Sequence, residues 1–361
     1  MHRRAFLKAT AAWPAAAALA RLPRLAGAAG DRWRAFEITT RVEILDPGGP
    51  SRVWLPLPLA TDTDYQKGLG HTWTGNAATV RVARDPRYGA ALVSAEWPDG
   101  VAAPTLELVA RVATRDRLVD PKAAPANPAP EDRATLARYL EPTELIRTDG
   151  IVESTAREIT NGARTDLEKT RALYEWIVEN TFRDPKVRGC GLGDIATMLE
   201  TRNLGGKCAD LNALFVGFSR ALGIPARDVY GLRVADSAEF RSLGKSGDVT
   251  KAQHCRAEFY SAQHGWIPVD PADVRKVVLE EKPGGLTLID PPVQRARAKL
   301  FGQWEMNWIA YNYAHDVALP GSAGPAVPFL MYPQAETRQG RRDSLDPEHF
   351  RYTITSREVA L

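Results

Sequence analysis

Residues 33–117 alternate between apolar and polar positions in short runs. In residues 36–44 and 105–112 the two kinds of side chain trade places with a period of two, as in a β-strand that buries one face. Turn sequences rich in proline, glycine and aspartate follow at 46–49 and 98–100, where they separate the runs. The pattern predicts an antiparallel β domain over residues 31–120, arranged as a sandwich.

Beyond residue 120 the pattern becomes helical. Residues 121–130 hold four prolines and predict a linker. Residues 166–182 place their apolar side chains along one side of a helix, and a short helical turn is predicted at 194–199. A further helix is predicted over 208–222, with an apolar stripe made of Cys208, Leu211, Phe215, Phe218 and Leu222.

Two short runs, residues 254–260 and 266–270, flank a turn sequence and predict a β-hairpin. Antiparallel partners keep a constant sum of residue numbers, so a pairing of Glu258 with Trp266 places His254 opposite Asp270. Side chains that face each other directly begin about 4.5–5.5 Å apart at Cβ, which lets the carboxylate reach the imidazole. A slip of one residue would separate the two side chains.

Cys208 begins the helix predicted over 208–222, and it follows Gly205 and Gly206. A helix N-terminus lowers the pKa of a thiol. A developing oxyanion could accept a hydrogen bond from the Cys208 N–H. Glycine lets a substrate approach closely, so Gly206 is a candidate for a residue that contacts the substrate beside this oxyanion. A lone cysteine is more often a small buried apolar residue. Together with His254 as base and acid and Asp270 as its orienter, however, Cys208 predicts a thiolate nucleophile.

Three motifs in this order carry a resemblance: residues 206–210 (GKCAD) with 220–227 (RALGIPAR), then His254, then residues 266–271 (WIPVDP). They resemble the core of the transglutaminase-like superfamily over about residues 166–272. The resemblance implies a papain-like α+β fold and the same roles for the cysteine, histidine and aspartate. Members commonly have an aromatic residue where this chain has Arg256, which leaves the shape of the substrate groove open. Because the superfamily includes cross-linking enzymes, peptidases, amidases and inactive binding modules, the resemblance implies a reaction type and not a substrate.

The other two cysteines are Cys190 and Cys255. Neighbours on a strand point to opposite faces, so we expect Cys255 to point away from the face that carries His254. In an oxidising compartment Cys190 and Cys255 could form a disulfide, and two buried free thiols are the alternative. Asp210 lies in the first helical turn, where we expect it to cap the helix rather than to react.

Residues 304–315 are dense in aromatic side chains. Such residues usually serve packing, so we predict that residues 291–361 form an extension docked on the core. The alternative makes Trp304, Trp308 and Tyr311 a wall of the substrate cleft. His315 could compete with His254 as the base, but its neighbour Asp316 would face elsewhere, and His254 is therefore preferred.

The first thirty residues predict an export signal. Residues 2–8 resemble a twin-arginine signal, and a weakly apolar stretch at 9–20 leads to small residues near Ala28, where we expect cleavage. The stretch is shorter than the roughly 20 residues that a membrane crossing needs. Five of the 47 basic residues and none of the 44 acidic residues lie in this segment, so the remainder carries 42 against 44, a balance that does not call for nucleic acid.

We therefore expect a signal peptide at 1–30, a β domain at 31–120, a linker at 121–130, a transglutaminase-like catalytic domain at 131–290 and the extension at 291–361. The expected protein is periplasmic or secreted and acts on amide or peptide bonds through a thioester. Hydrolysis is favoured because water is abundant and no acyl-acceptor site is visible. A cross-linking transglutaminase and a non-catalytic module that binds a cell-envelope peptide are the alternatives.

The sequence contains no metal or nucleotide motif, so we expect no cofactor. A metal site built from Cys208, Cys255 and His254 is a further alternative, but adjacent strand residues point apart and cannot easily share one ion. The expected partner is a peptide or protein substrate. We expect no nucleic acid, no stable membrane insertion and a monomer.

Overall fold

The computed structural model describes residues 32–126 and 128–361, so the predicted signal peptide lies outside the described residues. The helices in this part of the chain are α1 (Arg133–Arg138), α2 (Ile151–Ile159), α3 (Asp166–Asn180), α4 (Ile195–Thr201), α5 (Cys208–Ala221), α6 (Pro271–Glu280) and α7 (Pro291–Lys299). Its strands are β1 (Arg34–Ile44), β2 (Ser51–Pro56), β3 (Gln66–Gly75), β4 (Thr79–Arg84), β5 (Ala91–Trp97), β6 (Thr105–Thr114), β7 (Arg117–Leu118), β8 (Phe182–Arg183), β9 (Gly205–Gly206), β10 (Ala226–Arg233), β11 (Gly247–Asp248), β12 (Gln253–Ser261), β13 (Gly265–Val269), β14 (Gln303–Trp304), β15 (Trp308–Asn312), β16 (His315–Val317), β17 (Val327–Phe329), β18 (Gln334–Thr337), β19 (Gly340–Arg342) and β20 (Phe350–Val359).

The N-terminal region is built on two antiparallel sheets of five strands each. One has the order β11-β20-β1-β6-β3 and the other the order β19-β18-β2-β5-β4. Alternate residues of β1 are buried, and they pack with residues of both sheets in one apolar cluster that includes Val42, Val53 and Trp97. The period-two pattern of the sequence thus buries one face of each sheet. The predicted β-sandwich is confirmed.

The C-terminal segment differs from the predicted extension on the core. Strand β20 pairs with β1 over ten residues, from Ala35 with Val359 to Ile44 with Phe350, and β18 pairs with β2. Strand β15 instead joins β10 in the sheet of the core. Residues 291–361 therefore complete both parts of the molecule. The physical reason is that the long edge of β1 needs a partner to satisfy its backbone groups.

The core combines the sheet β13-β12-β10-β15 with helix α5. Helix α5 lies against β12 and β10 and is also contacted by α2, α3, α4 and α6. Every residue from Cys208 to Arg220 is buried, so the predicted single apolar stripe was too narrow for a helix enclosed on all sides. The fold is α+β with a transglutaminase-like core, as predicted.

Helix α3 begins with a capping box in which the Thr165 hydroxyl accepts from the Glu168 N–H and the Glu168 carboxylate accepts from the Thr165 N–H. It ends at Asn180, two residues before the predicted end. Across residues 32–126 and 128–361, no helix combines the length and apolar character that crossing a membrane requires.

Candidate active site

Cys208 is the first residue of α5 and lies at the wall of a cleft. The side chain is 3% exposed, and the cleft has a volume of about 830 Å³, with Cys190, His254 and Tyr332 also in its lining. A cavity of this size is typical of a small-molecule or peptide site. The predicted cysteine is thus at a helix start and next to open space.

Asp210 fixes the backbone in front of Cys208. Its Oδ2 accepts the Lys207 N–H at 2.9 Å, and its Oδ1 accepts the N–H groups of Leu192 and Gly193, each at 2.9 Å. Three backbone donors are satisfied by one buried carboxylate, as capping requires. Asp210 therefore has the expected capping geometry, and it also ties the helix to the preceding loop.

Gly206 does not have the predicted contact with substrate. Gly206 pairs with Arg183 in a short parallel ladder and is absent from the cleft lining. A Cβ at this position would lie 2.6 Å from the Cβ of Asp210. Position 206 is glycine because the backbone passes directly over the Asp210 side chain, so the predicted close approach of a substrate is not what requires glycine here.

His254 and Asp270 come together although the predicted strand register was wrong. Glu258 pairs with Pro268 rather than with Trp266, because the turn has three residues between Ser261 and Gly265 and Gly265 takes a positive φ of 73°. The register differs by two residues, and an even shift keeps side chains on the same face. The His254 Nε2 lies 2.7 Å from the Asp270 Oδ2.

Asp270 is held from three directions. It is the N-cap of α6, and its Oδ1 accepts the Asp273 N–H at 3.0 Å. Its Oδ1 also accepts the Asn212 Nδ2 at 3.2 Å. Since the Asp270 carboxylate occupies the Nε2 of His254, the Nδ1 is left to interact with the Cys208 thiol, whose pKa the imidazole lowers. The structure thus brings Cys208, His254 and Asp270 into one chain of contacts.

Sequence reasoning missed two charged residues at this site, Asp273 and Arg233, and left the role of a third, Arg256, open. The Asp273 Oδ2 lies 3.3 Å from the His254 Nε2, and Arg233 donates to both Asp273 oxygens at 2.6 and 2.9 Å. Arg256 lies behind Asp270, with its Nε 3.7 Å from the Oδ2. The spacing of Asp273, three residues after a helix-capping aspartate, was the available signal. Arg256 is 2% exposed and absent from the cleft lining, so it does not shape the groove.

The two reacting groups have strongly shifted pKa values. Burial and Arg233 lower the pKa of His254, but Asp273 and Asp270 outweigh them and raise it to about 9. Hydrogen bonds from Cys190 and Cys255, together with His254, lower the pKa of Cys208 well below its usual value against the effect of burial. Both shifts favour a thiolate beside an imidazolium, which is the reactive state of a catalytic cysteine.

The disulfide that was considered possible between Cys190 and Cys255 is not formed, and all three cysteines are buried free thiols, as the alternative had it. Both thiols hydrogen-bond to Cys208, and this contact helps to raise the pKa of each of them. Cys255 packs with Ala257 and Phe259, which alternate with His254 along β12, in agreement with the expectation that it points away from the face that carries His254. Its side chain belongs to the apolar cluster that also contains Cys208, because α5 covers that face of β12.

The aromatic residues predicted as a cleft wall are packed inside the molecule. Trp304, Trp308 and Tyr311 are 1%, 0% and 4% exposed, and none lines the cleft. The Trp308 indole donates to the His254 carbonyl at 2.9 Å, and the rings of Trp304 and Trp308 lie under the Arg256 guanidinium. These tryptophans therefore support the strands that carry the site rather than contact a substrate.

His315 also differs from expectation, because it has an aspartate. Its Nε2 lies 3.4 Å from the Asp228 Oδ2, and its Nδ1 lies 3.4 Å from the Tyr230 hydroxyl. His315 and Asp228 are both buried, and neither lines the cleft. His315 therefore has no route to a substrate there.

Among the described residues, one group could supply three ligands to a metal ion: His254, Asp270 and Asp273, whose ligand atoms lie within 4.8 Å of one another. Arg233 binds Asp273, and Arg256 lies next to Asp270. These two guanidinium groups already supply positive charge to the carboxylates and would repel a cation. The donor set fits an ion-paired histidine better than a metal centre.

Known proteins match this chain both at its core and along most of its length. Residues 153–271 match the family model described as the transglutaminase-like superfamily, a range that includes all three members of the chain of contacts. A Haemophilus influenzae protein described only as uncharacterized is 34% identical over 342 residues, which cover 90% of this chain and 91% of that protein.

Two solved structures are also similar. A proposed cysteine protease from Cytophaga hutchinsonii superposes with a TM-score of 0.51 at 16% identity, covering 90% of this chain and 98% of that one; at this identity the likeness concerns the fold alone. The periplasmic domain of TgpA from Pseudomonas aeruginosa gives a TM-score of 0.34 at 18% identity, covering 63% of this chain and 74% of that one. With the Haemophilus influenzae relative along most of its length and the matching model at its core, this chain belongs to the transglutaminase-like superfamily.

Proposed function

We propose that the protein is an exported cysteine-dependent acyl-transfer enzyme that cleaves amide or peptide bonds. The observation that carries the proposal is the chain of contacts from Cys208 through His254 to Asp270 at the wall of the cleft. A thiolate, an imidazolium and an orienting carboxylate are the groups that this chemistry needs. Membership of a superfamily with cysteine-dependent enzymes is consistent with it.

In the proposed first step, the Cys208 thiolate attacks the amide carbonyl carbon and forms a C–S bond. The carbonyl oxygen takes the negative charge, and the N–H of Cys208 at the start of α5 donates to it. Among the described residues this N–H donates to no backbone carbonyl, which leaves it available. When the C–N bond breaks, the amine leaves with the proton from the His254 Nδ1, and a thioester remains.

In the second step the neutral His254 takes a proton from water, and the resulting hydroxide attacks the thioester. The C–S bond breaks, the carboxylic acid product leaves and gives its proton to the solvent, and the thiolate is restored with His254 protonated again. Asp270 holds the ring by its Nε2 throughout and stabilises the imidazolium. A primary amine in place of water would give transamidation. We favour water, because the cleft is open to solvent and its lining shows no group committed to an acyl acceptor.

The export part of the proposal depends on the twin-arginine-like segment and the small residues near Ala28. A periplasmic or secreted location would bring the enzyme to peptides of the cell envelope. Size analysis of the purified protein and its fractionation from expressing cells test this part. A protein that keeps residues 1–30 and remains in the cytoplasmic fraction would contradict it.

Two measurements test the chemistry. Iodoacetamide at pH 7 should label Cys208 faster than Cys190 or Cys255, since its pKa is lowered while the pKa values of the other two thiols are raised. Incubation with a set of peptide amides, with and without a primary amine, should yield the free acid, and mass spectrometry should detect a thioester on Cys208 after a rapid acid quench. Faster labelling of either other cysteine, or product formation by a Cys208→Ala variant, would contradict the assignment.

A further inference from the structure

Cationic side chains dominate the lining of the cleft that contains Cys208. Seven lining residues are arginine or lysine and one is a carboxylic acid, Asp248; the seven are Arg183, Arg188, Lys207, Arg233, Lys245, Lys251 and Lys276. They come from four separate parts of the chain, which the fold brings to one place. Because residues 31–361 carry nearly equal numbers of basic and acidic residues, the excess of positive charge is a local property of the cleft.

Some of these cations are neutralised by carboxylates behind the lining. Arg233 pairs with Asp273, and Arg183 pairs with Glu280. Arg188 pairs with Asp343, although both side chains are about half exposed, at 60% and 49%. Ion pairs at such exposed positions are weak. These cations remain within reach of a bound anion while being partly balanced in its absence.

Three lysines have no such partner. Within the part of the chain that the structure describes, the ammonium groups of Lys207, Lys245 and Lys251 have no carboxylate within 4.0 Å. The one acid of the lining, Asp248, accepts the Thr250 N–H at 3.0 Å and interacts with both Lys245 and Lys251. One exposed carboxylate therefore serves two ammonium groups, and Lys207, which immediately precedes the nucleophile, has none.

The remaining lysine reports the same excess charge. Burial and then Arg233 lower the pKa of Lys276 to about 8, although Asp273 and Glu280 oppose this. An anion in the cleft would reverse that trend, because it favours the charged form of every nearby lysine. A cleft lined by one sign of charge also concentrates ligands of the opposite sign and speeds their binding.

We propose that the cleft selects a peptide substrate with carboxylate groups close to the scissile amide, and that Lys207, Lys245 and Lys251 bind those carboxylates. The proposal depends on the proposed function only for the amide, since the anion site is a property of the cleft itself. An acidic peptide supplies both the amide that Cys208 attacks and the charges that the lysines lack. Nucleic acid fits less well, because two of the three aromatic rings in the lining, Phe350 at 1% and Tyr332 at 9% exposure, offer no open surface for stacking.

The test measures binding without catalysis. Full-length Cys208→Ala protein is titrated into two fluorescein-labelled pentapeptide amides that differ only in having Glu or Gln on either side of a central Gln, and anisotropy is recorded at 20 and 500 mM NaCl. We expect the Glu peptide to bind about tenfold more tightly at low salt, as two favourable charge contacts allow. The preference should shrink at high salt, because screening weakens contacts at exposed lysines.

Two double variants in the Cys208→Ala protein assign the preference to the cleft. Lys245→Gln with Lys251→Gln should reduce the preference for the Glu peptide to less than about threefold. Lys122→Gln with Lys282→Gln removes the same charge from exposed positions outside the cleft lining and should leave the preference unchanged. All four lysines are exposed, so we expect neither double variant to disturb folding.

Equal binding of the two peptides would overturn the proposal, as would an equal loss of preference in both double variants. Tighter binding of a fluorescein-labelled single-stranded DNA pentamer than of the Glu peptide, lost in the Lys245 and Lys251 variant, would also overturn it in favour of nucleic acid. The proposed function is judged separately by turnover. Selective binding of the Glu peptide without cleavage by the unaltered enzyme would contradict the proposed function and keep this inference, and cleavage without selectivity would do the reverse.

Discussion

Two buried histidines in the described part of the core each lie beside an aspartate, and the surroundings of these pairs differ. His254 lies 2.7 Å from Asp270, whose other oxygen accepts hydrogen bonds from Asn212 and Asp273. His315 lies 3.4 Å from Asp228, and neither oxygen of Asp228 has a hydrogen-bond partner. The first pair lies at the cleft that contains the Cys208 thiol, whereas the second pair does not line that cleft.

The difference teaches that a histidine and a carboxylate in contact do not make a catalytic pair by themselves. At His254, the imidazole and Asp270 are held in place before a substrate binds. Asp270 caps the start of α6 and accepts a hydrogen bond from Asn212, and Asp273 lies beside the imidazole. At His315 the contacts are longer, and the Asp228 carboxylate has no hydrogen-bond partner. A buried polar group without partners costs stability, so the second pair is expected to affect folding more than chemistry.

The largest contrast is expected from replacing each histidine by glutamine. His254→Gln should reduce kcat/KM for a peptide amide by a factor of about 10⁴ or more, because the thiolate loses the imidazolium that stabilises it and the leaving amine loses its proton donor. His315→Gln should change it by less than about tenfold. Steady-state kinetics on both variants, with circular dichroism as the folding control, check this. A comparable loss in both variants would remove the distinction between the pairs.

Replacing the acids should separate chemistry from stability. Asp270→Asn keeps the size of the side chain but not its charge, and we expect kcat to fall by a factor of about 10³–10⁴. Asp228→Asn should leave kcat nearly unchanged and should not lower the melting temperature, since it removes a buried carboxylate that has no hydrogen bonds. An Asp270→Asn variant with full activity, or an Asp228→Asn variant with none, would contradict the assignment.

The pH profile tests the second carboxylate on His254. Activity should fall as the pH rises through about 9, because His254 then loses the proton that the leaving amine needs. Asp273 helps to raise the pKa of His254, so Asp273→Asn should move the alkaline limb to lower pH by about one unit. A purely structural role for Asp273 would lower kcat at all pH values without moving the limb. Asp273→Asn leaves the buried Arg233 guanidinium without its anion, which is expected to lower the stability of the protein. An Arg233→Met/Asp273→Asn variant, which removes both charges, is the control for this loss of stability.

Sequence reasoning reached the parts of this site that depend on local pattern. The helix that begins at Cys208 and the strands that carry His254 and Asp270 follow from periodicity and from turn residues. The register of the hairpin was missed because it depends on the length of the turn around Gly265. An even error preserved the face, so the prediction of the contact survived it.

What the sequence did not reveal depends on contacts between distant segments. Arg233 reaches Asp273 across 40 residues, and Arg256 lies on the rings of Trp304 and Trp308 from the C-terminal segment. No periodic pattern encodes which strand lies beside which. For the same reason β20 was predicted as part of an extension although it pairs with β1.

The smallest expected effect concerns Cys190, which has two acceptors within reach. Its thiol lies 3.3 Å from the Gln253 carbonyl oxygen, and its hydrogen bond to Cys208 is the largest contribution that lowers the pKa of Cys208. One thiol carries one proton and can serve only one acceptor fully. A thiolate is the stronger acceptor because it is charged, so we expect the proton to point to Cys208.

Cys190→Ala should then raise the pKa of Cys208 by about one unit, the value of one hydrogen bond to a charged group. The acid limb of kcat/KM should move to higher pH, and the rate of iodoacetamide labelling at pH 5 should fall by up to about tenfold. Asp228→Asn serves as the control, because the second histidine–aspartate pair lines no part of the cleft. An unchanged labelling rate in Cys190→Ala would mean that the Cys190 thiol donates its proton to the Gln253 carbonyl and that Cys208 relies on His254 and Cys255 for its low pKa.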